Sequence, residues 1–119
     1  MSRSTNVIPF PGHRSRDIEP VRFERRELNA ILRVYGQLVA AGEWRDYSID
    51  MLPDVAVFSV FRRMGETPAY RIEKRPKNAA KQGAYSVVAS TGMTLKRGSD
   101  LAIVLRIFNR QLMKLAESD

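Results

Sequence analysis

The chain of 119 residues contains no cysteine and a single histidine, His13. Without cysteine it can form neither a disulfide framework nor a thiolate zinc site, which fits a reducing compartment. His13 falls in a proline-containing amino-terminal segment, so the rest of the chain offers no imidazole for general base catalysis or metal binding. Histidine-dependent catalytic triads and histidine zinc sites are therefore excluded. We expect no metal site, no cofactor and no enzymatic activity.

Long apolar runs are also absent. The longest, Leu101–Leu105, has five residues, whereas a membrane-spanning helix needs about 20. Near the amino terminus, Pro9 and Pro11 interrupt the apolar residues, so no secretory signal is indicated. We expect a cytoplasmic protein that makes no membrane contact.

The length and an apolar content of 44% fit one compact domain. Residues 1–20 contain Pro9, Pro11, Gly12 and Pro20 and have neither helical nor strand periodicity. We therefore predict a disordered arm over residues 1–20 and a single α+β domain over residues 21–119. Within the arm, Val7–Pro11 is an apolar extended segment that either docks into a partner's groove or has no role.

From Glu24 to Ala41 the apolar residues recur at i, i+3, i+4 and i+7, which predicts an amphipathic helix that ends at Gly42. Val21–Phe23 predicts a short extra edge strand. Four segments rich in β-branched and aromatic residues follow, separated by turn residues, and predict a four-stranded antiparallel meander. These segments are Trp44–Leu52, Val55–Arg63, Ala69–Arg75 and Ala84–Thr91. The second is apolar on both faces, which is typical of a strand with neighbours on both sides.

Ser99 and Asp100 provide capping chemistry for a long last helix that extends to about Ala116. Its predicted core stripe consists of Leu101, Val104, Leu105, Phe108, Leu112 and Leu115. Ile103, Ile107 and Met113 widen this stripe beyond what one sheet face covers. Either a homodimer covers the excess apolar surface, or the domain wraps the helix on two sides.

The net charge of +7 is carried by the 36 residues from Arg62 to Arg97, which hold nine basic residues and two acidic ones. The rest of the chain is neutral, because it holds eleven basic and eleven acidic residues. A field of one sign attracts phosphates, an acidic partner or anionic lipid. Tyr85 follows the loop lysines and is a candidate ring for base stacking. The candidate nucleic-acid or anion-binding residues are Arg62, Arg63, Arg71, Lys74, Arg75, Lys77, Lys81, Tyr85, Lys96 and Arg97.

Three observations limit this interpretation. Arg71 and Arg75 share a strand face with Glu73, so part of the charge is paired internally. The segment from Gly92 to Gly98 has five residues between its glycines rather than four and lacks the following lysine, so it is not a P-loop. Lys96 and Arg97 precede a helix start that attracts anions, but the caps at Ser99 and Asp100 compete for the same N–H groups. A solvated basic hairpin remains the alternative to a binding site.

Several motifs occur in order along the chain, and together they resemble an uncharacterised alphaproteobacterial family, a domain of unknown function. The motifs are Glu43–Tyr47, Tyr70–Lys74, Lys81–Tyr85 and Leu95–Gly98. The resemblance extends from about Phe23 to the carboxyl terminus and implies a small, basic, bacterial cytoplasmic protein. It brings no activity, ligand or catalytic residue.

Two functional hypotheses follow. The first is a non-catalytic binding protein whose basic strand-loop region, residues 62–97, contacts nucleic-acid phosphates. The arrangement of curved strands followed by a helix is similar, in architecture alone, to small dimeric coactivators that bind single-stranded DNA. The alternative is a homodimeric protein-interaction or regulatory adaptor without a nucleic-acid ligand, in which the wide last helix forms the interface.

Overall fold

The computed structural model describes residues 19–63 and 67–117. One helix comes first, then five strands, then two helices. They are α1 (Arg25–Ala40), β1 (Asp46–Met51), β2 (Ala56–Phe61), β3 (Tyr70–Lys74), β4 (Tyr85–Ala89), β5 (Thr94–Gly98), α2 (Leu101–Val104) and α3 (Ile107–Glu117). The strands form one antiparallel sheet in the order β1-β2-β3-β4-β5. The predicted α+β class and the antiparallel meander are confirmed.

Helix α1 forms where its apolar periodicity predicts. Glu24 is the N-cap, and its backbone N–H donates to Glu27 Oε1 at 2.6 Å, one half of a capping box. Ile31 and Leu38 are completely buried. Gly42 follows the helix with a φ of 83°, a left-handed conformation that glycine adopts without a steric penalty.

The number of strands is a correction to the prediction. The described sheet has five strands, and the additional one is β5, an edge strand that follows β4. Residues 21–23 form no strand, although the Val21 N–H donates to the Leu52 carbonyl at 2.8 Å. Thr94 to Arg97 are all exposed, and an edge strand exposed in this way needs no apolar pattern. Its sequence therefore gave no strand signal.

The antiparallel register sorts the side chains of the sheet into two faces. Phe58, Ile72 and Val87 lie directly opposite one another on neighbouring strands, and all three are fully buried beneath the helices. Lys96 continues this row on β5. The other face carries a second row across all five strands, namely Asp50, Val57, Glu73, Ser86 and Arg97. The helices thus cover one face, and the charged row belongs to the other.

The predicted single last helix is interrupted, which is a second correction. The N–H groups of Arg106, Phe108 and Asn109 bond to carbonyls three residues earlier, a tighter turn that separates α2 from α3. The sequence has no proline or glycine at the interruption, and its apolar pattern continues through it. The sequence therefore predicts one uninterrupted helix. Four residues of the predicted stripe are buried, Leu112 is half-buried, and the side chain of Leu115 is outside the described set. The buried four are Leu101, Val104, Leu105 and Phe108.

Residues 1–18 and 64–66 lie outside the described residues, and with them most of the predicted arm and part of the connection between β2 and β3. Within residues 19–63 and 67–117, no helix has the length and apolar character required to span a membrane.

Candidate nucleic-acid interface

The basic residues between Arg62 and Arg97 do not form one surface, because the fold distributes them over both faces and both ends of the sheet. The face opposite the helices carries Arg71, Arg75 and Arg97. The helix face carries Lys74 and Lys96. Lys77 and Lys81 lie in the connection from β3 to β4. Arg62 and Arg63 follow β2, at the other end of the sheet from that connection.

Glu73 holds two arginines in place on the face opposite the helices. Arg71 Nε donates to Glu73 Oε2 at 3.3 Å, and Arg75 Nε donates to Glu73 Oε1 at 3.2 Å. Only 11% of the Glu73 side chain is exposed, against 31% for Arg71 and 44% for Arg75. Both contacts use Nε, so the terminal Nη groups, which grip phosphates in pairs, remain available. The predicted pairing with Glu73 therefore orients the two guanidinium groups.

The connection between β3 and β4 is anchored on the end of β5. It contains a 3-10 turn at Pro76–Asn78, and the Asn78 carbonyl accepts hydrogen bonds from the N–H groups of residues 81, 82 and 83. Gly83 has a φ of 90°, and a Cβ added there would lie 2.2 Å from the Gly98 carbonyl carbon. Arg97 Nη1 also donates to the Gln82 side-chain oxygen. These contacts hold the carboxyl-terminal end of the connection against Arg97 and Gly98.

Lys77 and Lys81 differ in their pairing. Lys77 Nζ lies 3.1 Å from Asp54 Oδ1 in an ion pair that is mostly exposed, so it contributes little to stability. Lys81 is exposed and has no side-chain partner within the described ranges. We use the name strand-loop surface for the five cations on the face opposite the helices and on the connection from β3 to β4. They are Arg71, Arg75, Lys77, Lys81 and Arg97.

Lys74 and Tyr85, two of the sequence candidates, are engaged by a buried carboxylate beneath α1. Glu27 is 5% exposed and accepts hydrogen bonds from Lys74 Nζ at 2.9 Å and from the Tyr85 hydroxyl. Lys74 Nζ also donates to the Arg22 carbonyl at 2.8 Å. The ring of Tyr85 thus lies on the helix face with its hydroxyl bonded, an arrangement that gives base stacking no support.

The protonation of this buried group follows from its contacts. Burial alone would raise the pKa of Glu27, but the hydrogen bonds from Lys74, Tyr85 and the Glu24 backbone outweigh it and lower the pKa below 4.5. Burial and the hydrogen bond to Glu27 raise the pKa of Tyr85 to about 12. Glu27 therefore stays ionised at neutral pH as the counter-charge of Lys74. No sequence argument singled out Glu27, although its position on the apolar stripe of α1 was a signal.

The remaining candidates lie apart from the strand-loop surface. The Arg62 guanidinium carbon is 5.8 Å from the Tyr70 ring centroid, a cation–π contact. The Asp100 carboxylate accepts from the N–H groups of Ala102 at 3.0 Å and Ile103 at 3.4 Å. The helix start that Lys96 and Arg97 precede is thus occupied by its own cap, as the capping interpretation predicts.

A second group of cations was missed by the sequence reasoning. Two adjoining cavities between β5 and α3 are lined by Arg110 and Lys114 of α3, by Arg106 in the turn before it, and by Lys96. Arg106, Arg110 and Lys114 recur every four residues. Leu95, Ile107 and Arg110 line both cavities. We call this region the α3 groove. The four-residue spacing of these cations could have indicated the groove from the sequence. The residues outside 62–97 have no net charge, however, so their cations were not considered.

Two carboxylates beside a third cavity are held in structural contacts. A cavity of about 540 Å³ opens beside Glu27, Tyr85 and Asp100. Glu27 is bonded to Lys74 and Tyr85, and Asp100 caps α2, so both carboxylates are already engaged. Over the described ranges, no cluster of histidine, aspartate or glutamate has the composition to bind a metal ion.

Fold and sites together define a small α+β domain with a five-stranded antiparallel meander and two separate basic surfaces. The family model for Protein of unknown function (DUF2794) matches residues 21–105, and the chain belongs to this family. The predicted membership of an uncharacterised family is thereby confirmed. The match ends at Leu105, before α3. No curated protein and no solved structure matches the chain.

Proposed function

We propose that the protein is a non-catalytic binding protein whose strand-loop surface contacts nucleic-acid phosphates. The observation that carries the proposal is the pair of guanidinium groups that Glu73 orients through Nε, on the sheet face that also carries Arg97. Five cations face two carboxylates, Glu73 and Asp54, so the surface keeps a positive surplus. The proposal includes a bacterial cytoplasmic setting, which the lack of cysteine supports.

The ligand is expected to be recognised through its backbone rather than its bases. The strand-loop surface consists of arginines and lysines, which bind phosphates in every sequence. The one aromatic candidate for stacking, Tyr85, donates its hydroxyl to Glu27 on the other face of the sheet. We therefore expect little sequence preference and a strong dependence of affinity on salt.

The test is a titration of labelled single-stranded and duplex oligonucleotides at several salt concentrations. If all five cations neutralise phosphates, the slope of log K against log salt is about −4.5 for duplex DNA, at about −0.9 per phosphate. Lys77→Glu with Lys81→Glu should reduce the magnitude of this slope by about 2.

The matched control is Arg106→Glu with Arg110→Glu, which makes the same charge change in the α3 groove. This control should bind oligonucleotides almost as the natural chain does, because its substitutions lie away from the strand-loop surface. No binding at low salt, or an equal loss in both double variants, would contradict the proposal.

The alternative function is a homodimeric adaptor without a nucleic-acid ligand, with the last helix as its interface. Ile103 is 43% exposed and Met113 is 63% exposed, and both residues widen the apolar stripe. An isologous interface would place each patch against its own copy, and here it would bring the cations of the α3 groove together. Light scattering that finds a monomer at high protein concentration would remove the homodimer.

A further inference from the structure

The α3 groove joins an exposed apolar floor to a basic rim. Its two cavities measure about 420 and 230 Å³ and run along β5 and α3. Leu95 and Ile103, at 37% and 43% exposure, belong to the floor, while Phe108 and Tyr70 line its inner end. An apolar floor with charged edges is the composition of a protein-docking groove.

A bulge in β5 helps to form this floor. Val87 pairs with Lys96 while the next residue, Val88, pairs with Thr94, so Leu95 is an extra residue on the edge strand. It lines both cavities next to Lys96. A bulge also interrupts the regular row of backbone groups that an added strand would need. The groove is therefore poorly suited to an extended peptide that pairs with β5.

The rim is positive and unpaired. For Lys96, Arg106, Arg110 and Lys114 the described part of the chain provides no side-chain hydrogen bond or ion pair. Among the described residues, no acidic side chain lines either cavity. At the end of the smaller cavity Gln111 Nε2 donates to Glu43 at 3.1 Å, so one carboxylate lies nearby. Four cations against that single carboxylate leave a positive surplus, which an acidic ligand would complement.

We infer that the α3 groove is a docking site for an acidic amphipathic helix of a partner protein. Arg110 and Lys114 lie four residues and about 6 Å apart along α3, and Arg106 precedes them by four residues in the turn before α3. Acidic residues on one face of a partner helix have the same four-residue spacing. Aliphatic residues of that helix at i, i+3, i+4 and i+7 would cover Leu95, Ile103 and Ile107. This inference concerns a different surface from the strand-loop surface and does not depend on nucleic-acid binding.

Charge and hydrophobicity together favour this occupant over the others. A second copy would set four cations against four, and a nucleic acid would leave the exposed leucine and isoleucines without an apolar partner. An acidic amphipathic helix would pair its carboxylates with the cations of the rim and cover the apolar residues of the floor.

The test measures binding of a fluorescein-labelled peptide of about 15 residues, with leucines at the four anchor positions and glutamates between them. The full chain should bind this peptide at low salt. Arg106→Glu with Arg110→Glu should weaken binding at least about tenfold. Ile103→Ala, which alters the floor without changing charge, should also weaken binding. Thermal unfolding of each variant verifies that these exposed substitutions leave the fold intact.

The matched control is Arg25→Glu with Arg45→Glu, an equal charge change at exposed positions outside the groove, which should leave the affinity within about twofold. A peptide with lysines in place of the glutamates should not bind. The inference is overturned if the acidic peptide does not bind, if a scrambled acidic peptide binds equally well, or if both double variants weaken binding alike. Dimerisation through Ile103, or loss of oligonucleotide binding only in the groove variant, would assign the groove to another occupant.

Discussion

At the scale of the residue, Glu27 connects three elements through one carboxylate. It lies in the first turn of α1, it accepts from Lys74 on β3 and Tyr85 on β4, and it also accepts the Glu24 N–H. A buried carboxylate that gains this many donors is more acidic than in the unfolded chain. Its ionisation is therefore linked to folding.

Replacing Glu27 by glutamine should lower the free energy of unfolding by about 3 kcal/mol at neutral pH, because Lys74 would keep a mostly buried charge without a counter-charge. In the natural chain the Glu27 carboxylate binds a proton more tightly in the unfolded state than in the folded state, because folding lowers its pKa. The contribution is thus present above about pH 4.5 and is lost as pH falls through the lower folded pKa. Urea unfolding across the acidic range should show this loss in the natural chain and not in Glu27→Gln.

Asp54→Asn is the control, because Asp54 pairs with Lys77 at 3.1 Å in an exposed contact. Its stability should change by less than about 0.5 kcal/mol. Identical acid sensitivity of the natural chain and Glu27→Gln would show that Glu27 is not the linked group.

At the scale of the element, the connection from β3 to β4 determines the shape of the strand-loop surface. Gly83 sits against Gly98 at the end of β5, so this loop and the edge strand are locked together. Arg97 reinforces the contact through Gln82. The anchor holds the loop that carries Lys77 and Lys81 against the end of β5.

Gly83→Ala should destabilise the fold by two separate effects, a positive φ and a clash of the new Cβ with backbone atoms of Gly98. Gly92→Ala isolates the first effect, since Gly92 has a φ of 93° but a Cβ added there would meet nothing within 4 Å beyond its chain neighbours. We expect about 1–2 kcal/mol for Gly92→Ala and at least about 2 kcal/mol more for Gly83→Ala. Equal costs in urea unfolding would contradict the close approach of Gly83 and Gly98.

At the scale of the whole molecule, α3 completes a core that the earlier elements leave open. Phe108 is 2% exposed and packs edge-on against Trp44 at 4.9 Å and Tyr70 at 5.2 Å. The family match ends at Leu105, before this helix. The packing of Phe108 nevertheless makes α3 part of the folded unit.

A chain that ends at Leu105 should therefore lose cooperative unfolding, while Phe108→Ala in the full chain should cost about 3–5 kcal/mol. Trp44, the only tryptophan, is 2% exposed and provides the measurement. Its fluorescence should shift to the red in the shortened chain because the indole gains contact with water. A shortened chain with the emission and urea midpoint of the natural one would show that α3 is dispensable.

Some properties of this protein were determined by the sequence alone, because they depend on neighbours along the chain. The periodicity of residues 24–41 predicts α1, the β-branched segments predict β1 to β4, and Asp100 is predicted as a helix cap. The pairing of Arg71 and Arg75 with Glu73 also follows from positions two residues apart on one strand. Each of these needs only local geometry.

Other properties were decided by the tertiary structure, because they depend on residues far apart in sequence. Glu27 meets Lys74 and Tyr85 across 47 and 58 positions, which engages two of the predicted nucleic-acid-binding residues. The register of β5 assigns Lys96 and Arg97 to opposite faces of the sheet, although they are adjacent in the chain. Lys96 thereby joins the cations of α3, while Arg97 joins those of β3. The sequence determined how much positive charge the protein carries, and strand pairing divided that charge between two surfaces.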